Sequence, residues 1–179
     1  MKIVFLDAES LGSDADYSEF EQLGEVIKYP RTSPEEAPER VADADVIVVN
    51  KVPVNENTIA SARNLKLVCV CATGTNNLDK DYLAQRGIEW CNAAGYSTES
   101  VAQHTFAMLF YLMEGLRYYD DYVKEGKYAA SSLFTHFGIP FHELGGVTWG
   151  ILGLGAIGRR VADIAGMFGA KVMYYSASG

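Results

Sequence analysis

The residues best equipped for chemistry lie near the end of the chain, in Gly153-Leu154-Gly155-Ala156-Ile157-Gly158. A strand-like run, Val147–Leu152, leads into them. The helix pattern that follows has Ile157, Val161, Ile164, Ala165 and Phe168 on one face, with Arg159, Arg160 and Asp163 away from it. Lys171–Tyr175 then reads as a second strand. Three glycines at this spacing are a weak sign alone, but inside a strand–helix–strand unit they point to a dinucleotide. Gly153 would permit a tight turn, Gly155 would let a pyrophosphate approach the backbone, and Gly158 would let the helix pack close to the strand. The N–H groups of Ala156, Ile157 and Gly158 would face the phosphates, aided by the helix dipole. An acidic residue about twenty positions beyond the first glycine would hold the ribose 2′-hydroxyl of NAD. No Asp or Glu occurs from Ile164 to the end, and no Arg follows that could bind a 2′-phosphate. NAD and NADP are both left open.

The remaining chemistry-bearing residues give less. Cys69, Cys71 and Cys91 make an odd count without a CxxC or a Cys/His ligand pattern, so no metal site is expected. They read as buried small hydrophobes in a reducing cytosol. His104 falls inside a helical pattern and reads as a packed or capped histidine. His136 and His142 are loop histidines with no evident partner.

Those residues need elements to position them. Short apolar runs (Ile3–Leu6, Val26–Tyr29, Val46–Val49, Leu67–Cys71, Ile88–Cys91) alternate with helix-like stretches (Tyr17–Leu23, Pro34–Ala42, Asn55–Ala62, Asp79–Arg86). Ser33, with Glu36 three residues on, and Asp79 stand where helix caps belong. Continuous Val/Ile/Leu strands separated by helices predict a parallel sheet covered on both faces, hence one α/β domain over residues 1 to about 95. A long helix is expected from Ser97 to about Tyr119. It is apolar nearly all round, as a helix buried between layers or subunits would be. The segment Tyr118–Phe141 carries seven aromatic side chains and reads as a subunit contact.

Charge and composition exclude several classes. The chain has 179 residues, 49% of them apolar, and a net charge of -8. Residues 1–45 hold twelve Asp/Glu against four Lys/Arg, and the remainder is balanced. An acidic chain with no Lys/Arg cluster argues against binding nucleic acid or an anionic membrane. The opening Lys2–Asp7 is too short and too early-charged for a signal peptide, and Phe106–Met113 is too short to cross a bilayer, so a cytoplasmic protein is expected.

Several spaced motifs resemble the D-isomer-specific 2-hydroxyacid dehydrogenases. They are Leu67 through Asp79 with Thr73-Gly74-Thr75-Asn76-Asn77, then Gly87-Ile88, Asn92 through Ser97, and Ser100-Val101-Ala102-Gln103-His104-Thr105. Phe134-Thr135-His136 through His142-Glu143-Leu144, and Trp149-Gly150-Ile151 into the glycine loop, look most like the glycerate dehydrogenase (hydroxypyruvate reductase) branch. The resemblance implies a flavodoxin-like parallel-sheet substrate domain at residues 1–97. It implies an interdomain helix and dimerisation arm at 98–145, and the first part of a Rossmann dinucleotide-binding domain at 146–179. It further implies an NAD- or NADP-dependent hydride transfer on a small 2-hydroxy or 2-oxo acid, in a homodimer. Thr73, Gly74 and Thr75 would hold the substrate carboxylate, and Asn50 and Lys51 would lie near the same cleft. Thr105 would touch the nicotinamide side, and Ser176 falls where NAD-preferring members place an Asp.

The catalytic Arg, Glu and His of that family match no residue here. The strands at 147–152 and 171–175 are also too apolar for one helix to cover, and would leave an open edge. The expectation is a portion of something longer, not catalytic as it stands. The competing expectation is a truncated, non-enzymatic paralogue that dimerises or senses dinucleotide.

Overall fold

The computed structural model describes residues 1–176, and the chain divides into two compact units between Tyr96 and Ser97. Ala177 to Gly179, the end of the expected dinucleotide domain, lie outside the described residues.

In the first unit five strands, β1 (Lys2–Phe5), β2 (Glu25–Lys28), β3 (Val46–Val49), β4 (Leu67–Val70) and β5 (Glu89–Asn92), pair in parallel in the order β2-β1-β3-β4-β5. This is the flavodoxin-like order expected, and its connections reverse direction between β1 and β3. One face, with Val4, Ile47, Val49, Val68 and Val70, is sealed by Val41, Ile59 and Leu83. Those residues come from α2 (Ala37–Val41), α3 (Glu56–Ile59) and α4 (Lys80–Arg86). The other face, with Ile3, Phe5 and Val48, packs on Leu11 of a short 3-10 helix (Ala8–Leu11) and Phe20 of α1 (Ser18–Leu23). Phe5 meets the rings of Tyr17 and Phe20 edge-on at 4.9 and 5.1 Å.

Three details differ from expectation. The helix at 34–42 is confined to α2, because Pro38 has no N–H to continue the ladder back to Pro34. Asn55–Ala62 holds only the single turn of α3. Cys91 is exposed and Cys69 and Cys71 are half-buried, so they are not simple core residues. The reason is position: β5 is an edge strand, and Cys91 lies outside the cluster built by the 3-10 helix and α1. Asp79 does cap α4, accepting the Tyr82 N–H at 3.0 Å.

The second unit contains α5 (Thr98–Met113), α6 (Leu116–Lys124), α7 (Lys127–Ala130), β6 (Thr148–Leu152), α8 (Ala156–Met167) and β7 (Lys171–Tyr175). β6 and β7 pair in parallel, Leu152 beside Tyr175. The expected single helix to Tyr119 is two helices. Gly115 takes φ +58°, a left-handed conformation that ends α5 and starts α6 in a new direction. Ala102 and Phe106 of α5 pack with Ile151, Val161 and Ala165 into one core, where Phe106 stacks on Trp149 at 5.1 Å. The buried face of α8 is narrower than the sequence pattern: Ile157 and Phe168, at its ends, are exposed.

The opposite face of α5 is not buried within the chain. Val101, Met108, Tyr111 and Leu112 are exposed, Leu112 by 78%, and so is His104, which is therefore not a packed histidine. Phe134 and Phe137 are 87% and 93% exposed. His136, for which the sequence suggested no partner, stacks on Tyr122 at 3.8 Å and shares a 2.7 Å hydrogen bond with the Tyr118 hydroxyl.

Candidate functional site

Parallel α/β sheets bind ligands at the carboxyl ends of their strands, beside the point where the connections reverse. In the first unit that edge carries Asp7 after β1, Asn50-Lys51-Val52 after β3 and Thr73-Gly74-Thr75 after β4. The residues assigned to the substrate carboxylate all lie here.

The Thr73–Thr75 loop is anchored by its carbonyl and hydroxyl. Asn92 Nδ2 donates to Thr73 O at 2.7 Å, and the Thr73 hydroxyl donates to Ala93 O at 3.3 Å. Among the described residues the main-chain N–H groups of Thr73, Gly74 and Thr75 donate to nothing. Three successive donors without partners on a surface loop suit a carboxylate, whose two oxygens accept several hydrogen bonds. Asn50 is half-buried and donates from Nδ2 to Ser10 Oγ at 3.1 Å. Lys51 is exposed and makes no ion pair among the described residues.

Sequence reasoning passed over Asp7. Its carboxylate accepts the N–H of Asn50 at 2.9 and 3.1 Å, of Lys51 at 2.6 Å and of Val52 at 3.2 Å. The available signal was a charged residue directly ending an apolar strand. Close by, the Cys69 and Cys91 sulfurs are 3.6 Å apart. Burial, with the neighbouring Cys91 thiol, pushes the Cys69 thiol up to about 12. Burial and the nearby Asp7 carboxylate also push Cys71 upward. Among the described residues no group of three or more His, Cys, Asp or Glu could hold a metal ion.

The second unit places the glycine loop as a cradle. Gly153 has φ +91°, and its N–H donates to Tyr175 O at 2.8 Å, turning the chain sharply out of β6. Gly155 is extended and caps α8 without a side chain, and a Cβ there would stand in open space. A Cβ on Gly158 would lie 2.2 Å from Gly153 O and 3.4 Å from Ile151 Cγ2, so only glycine lets α8 sit this close to the turn. The first bond of α8 runs from Arg159 N–H to Gly155 O at 2.9 Å. Among the described residues it leaves the N–H groups of Ala156, Ile157 and Gly158 unpaired, as at a helix start. The three glycines thus differ physically in the way the motif requires, and the residues present fit a pyrophosphate. Ser176 directly follows β7, next to the strand position paired with Leu152. Thr105 donates its hydroxyl to Val101 O of its own helix at 2.8 Å, so its oxygen is left only as an acceptor.

A family model for the D-isomer specific 2-hydroxyacid dehydrogenase catalytic domain matches residues 3–176. The chain is 37% identical over 175 residues to a glycerate dehydrogenase of Methylorubrum extorquens, covering 97% of this chain and 55% of that protein. It is 36% identical over 181 residues to a hydroxypyruvate reductase of Blautia hydrogenotrophica, covering 99% and 56%. The chain therefore spans about half the length of the curated relatives it matches. Among solved structures, the D-lactate dehydrogenase of Aquifex aeolicus complexed with NAD and lactic acid matches with a TM-score of 0.79 at 29% identity, over 98% of this chain and 51% of that one. An acyclic imino acid reductase in complex with NADPH and D-Arg matches at 0.80 and 26%, over 99% and 57%. No described helix is long and apolar enough to cross a membrane.

Proposed function

The chain belongs to the D-isomer-specific 2-hydroxyacid dehydrogenase family, and from that premise we propose that it serves hydride transfer between a nicotinamide dinucleotide and a small 2-hydroxy or 2-oxo acid of the glycerate/hydroxypyruvate type. The observation that carries this reading is the glycine cradle. Gly158 excludes any side chain, Gly155 leaves the approach open, and among the described residues three helix-start N–H groups have no partner. Such an arrangement suits a pyrophosphate and offers nothing to an apolar ligand.

The dinucleotide, when bound, supplies the hydride. This chain's own residues bind and orient. Ala156, Ile157 and Gly158 would hold the pyrophosphate through their N–H groups. Thr73, Gly74 and Thr75 would hold the substrate carboxylate, with the Lys51 ammonium nearby as a mobile positive charge and Asn50 beside it. Thr105 would accept a hydrogen bond on the nicotinamide side. Ser176, uncharged, neither repels a 2′-phosphate nor supplies the carboxylate that favours NAD, so both cofactors fit the reading. The exposed apolar face of α5 and the aromatic arm would join two copies.

The test is oxidation of NADH and NADPH by the protein isolated from its host, with hydroxypyruvate, glyoxylate and pyruvate as acceptors and intact mass measured on the same sample. Turnover with hydroxypyruvate ahead of pyruvate is expected from a protein whose mass exceeds the 19.6 kDa of these 179 residues. Absence of turnover with all three acids under both cofactors would defeat the proposal and leave the paralogue reading in its place.

A further inference from the structure

Asp7 lies at the reversal between β1 and β3 and puts a negative charge at the edge where the proposed function needs to attract a carboxylate. Such a charge is unfavourable for an anionic ligand unless something else uses it. Three successive main-chain N–H groups, those of Asn50, Lys51 and Val52, all donate to this one carboxylate. The turn leaving β3 is folded around Asp7, and the start of the Lys51 side chain is fixed with it.

The restraint continues to the next loop. Asn77 Nδ2 donates to Val52 O at 3.1 Å, Val54 N–H donates to Asn77 O at 2.8 Å, and Val54 bridges to Leu78. Leu78 N–H in turn donates to Thr75 O at 3.1 Å. A continuous set of hydrogen bonds thus runs from Asp7, through 50–54 and 77–78, to the loop whose N–H groups are unpaired.

We propose that Asp7 is a positioning residue for the substrate carboxylate: it orders the Asn50–Val52 turn and, through Asn77, the Thr73–Thr75 loop. The inference rests on the reading of those loops as the carboxylate site. It makes an unusual claim about sign. If Asp7 acted only through its charge, replacing it with a neutral side chain would strengthen the binding of an anion. If it acts by ordering donors, the same replacement weakens binding, because disordered donors must be ordered each time an anion binds.

The experiment uses the full chain, labelled for NMR, titrated with D-glycerate, and compares wild type with Asp7→Asn and Asp7→Glu. Asn keeps one acceptor oxygen and sets an NH2 against the backbone donors, whereas Glu keeps both oxygens and the charge. In wild type, D-glycerate is expected to shift the amide signals of Thr73, Gly74 and Thr75. In Asp7→Asn the affinity should fall by about tenfold or more, the scale set by losing hydrogen bonds to a charged group. Amide exchange should rise at Asn50, Lys51 and Val52 while the signals of β3 and β4 stay folded. Asp7→Glu should recover part of both losses because it keeps both acceptor oxygens, whereas a pure charge effect would instead make the neutral variant the tighter binder. If Asp7→Asn does not fold, Asp7→Glu carries the test alone: weaker binding with faster exchange at 50–52 is the supporting result. Binding in the neutral variant at wild-type strength or tighter overturns the inference, as does an Asp7→Glu variant indistinguishable from wild type when only that variant folds. No response of Thr73–Thr75 in wild type overturns the carboxylate site itself, and the inference with it.

Discussion

Each glycine of the cradle can be tested by adding one methyl group, and the structure predicts a different outcome at each. At Gly158 the new Cβ would meet Gly153 O at 2.2 Å, so α8 and the turn must separate by more than an ångström to reach the 3.4 Å at which ordinary contact begins. Overpacking of this kind costs about 1–3 kcal/mol. Alanine's better helix propensity returns roughly 0.5–1 kcal/mol, so the clash wins and the unit should lose about 1–2 kcal/mol. At Gly155 the backbone is extended, with φ −75° and ψ −166°, and among the described residues an added Cβ meets nothing within 4 Å beyond its own chain neighbours and helix backbone. Gly155→Ala should therefore leave stability within about 0.5 kcal/mol of wild type. Its methyl would stand in the approach to the three free N–H groups, and losing one hydrogen bond to a charged phosphate costs about 1.5–3 kcal/mol. That is roughly ten- to a hundredfold in Kd. ADP-ribose is a suitable probe, since it carries the pyrophosphate without the nicotinamide. Binding is read by calorimetry, and stability by urea unfolding at the Trp149 indole signal in NMR. A Gly155→Ala variant that binds ADP-ribose like wild type, or a Gly158→Ala variant with an unchanged urea midpoint, refutes the geometric argument.

Two further outcomes follow from other parts of the chain. Leu112 is 78% exposed on the outer face of α5; if the proposed pairing of two copies uses this face, Leu112→Glu should leave the fold intact and shift sedimentation toward the single chain, and an unchanged sedimentation profile would remove α5 from that proposal. Burial holds the Cys69 thiol neutral up to about 12, above its ordinary value near 9, so the unfolded chain loses that proton first. Stability should then fall as pH rises through that interval, and Cys69→Ala should flatten the fall in urea titrations run with reductant; equal slopes for the two proteins would contradict the assignment. Cys91, being exposed, should be alkylated well before Cys69.

What could be read from the sequence depended on whether a residue's type records its environment. The strands were legible because a central parallel strand must be apolar on both faces, as Val46–Val49 and Leu67–Val70 are. The helix breaks were less so. Pro38 and Gly115 were both visible, but a periodic apolar pattern running through 101–113 and on to Tyr119 outweighed one glycine, and nothing local shows that Gly115 takes a left-handed turn instead of continuing the helix. The cysteines misled for the opposite reason. Cys91 has the composition of a core position, yet it lies on an edge strand, and strand order is a property of the whole sheet.

The two candidate sites show the same division in sharper form, because both are built from main-chain N–H groups that every residue carries. The dinucleotide cradle left a trace because its geometry forbids side chains: the 2.2 Å contact at Gly158 and the positive φ at Gly153 each require glycine. The Thr73–Thr75 loop imposes no such demand. A Cβ on Gly74 would come no nearer than 3.4 Å to Asn76 Oδ1, and threonine is ordinary in a turn, so only its resemblance to a family marked it. Asp7 lies between these cases. Its type is informative, since an ionised carboxylate ending a buried strand must find donors. But the donors it finds are 43 to 45 residues away, on a neighbouring strand's exit. No spacing rule links those positions. Only the β1–β3 pairing does, and that is why the sequence shows Asp7 only as the end of a strand and not as the acceptor for the turn after β3.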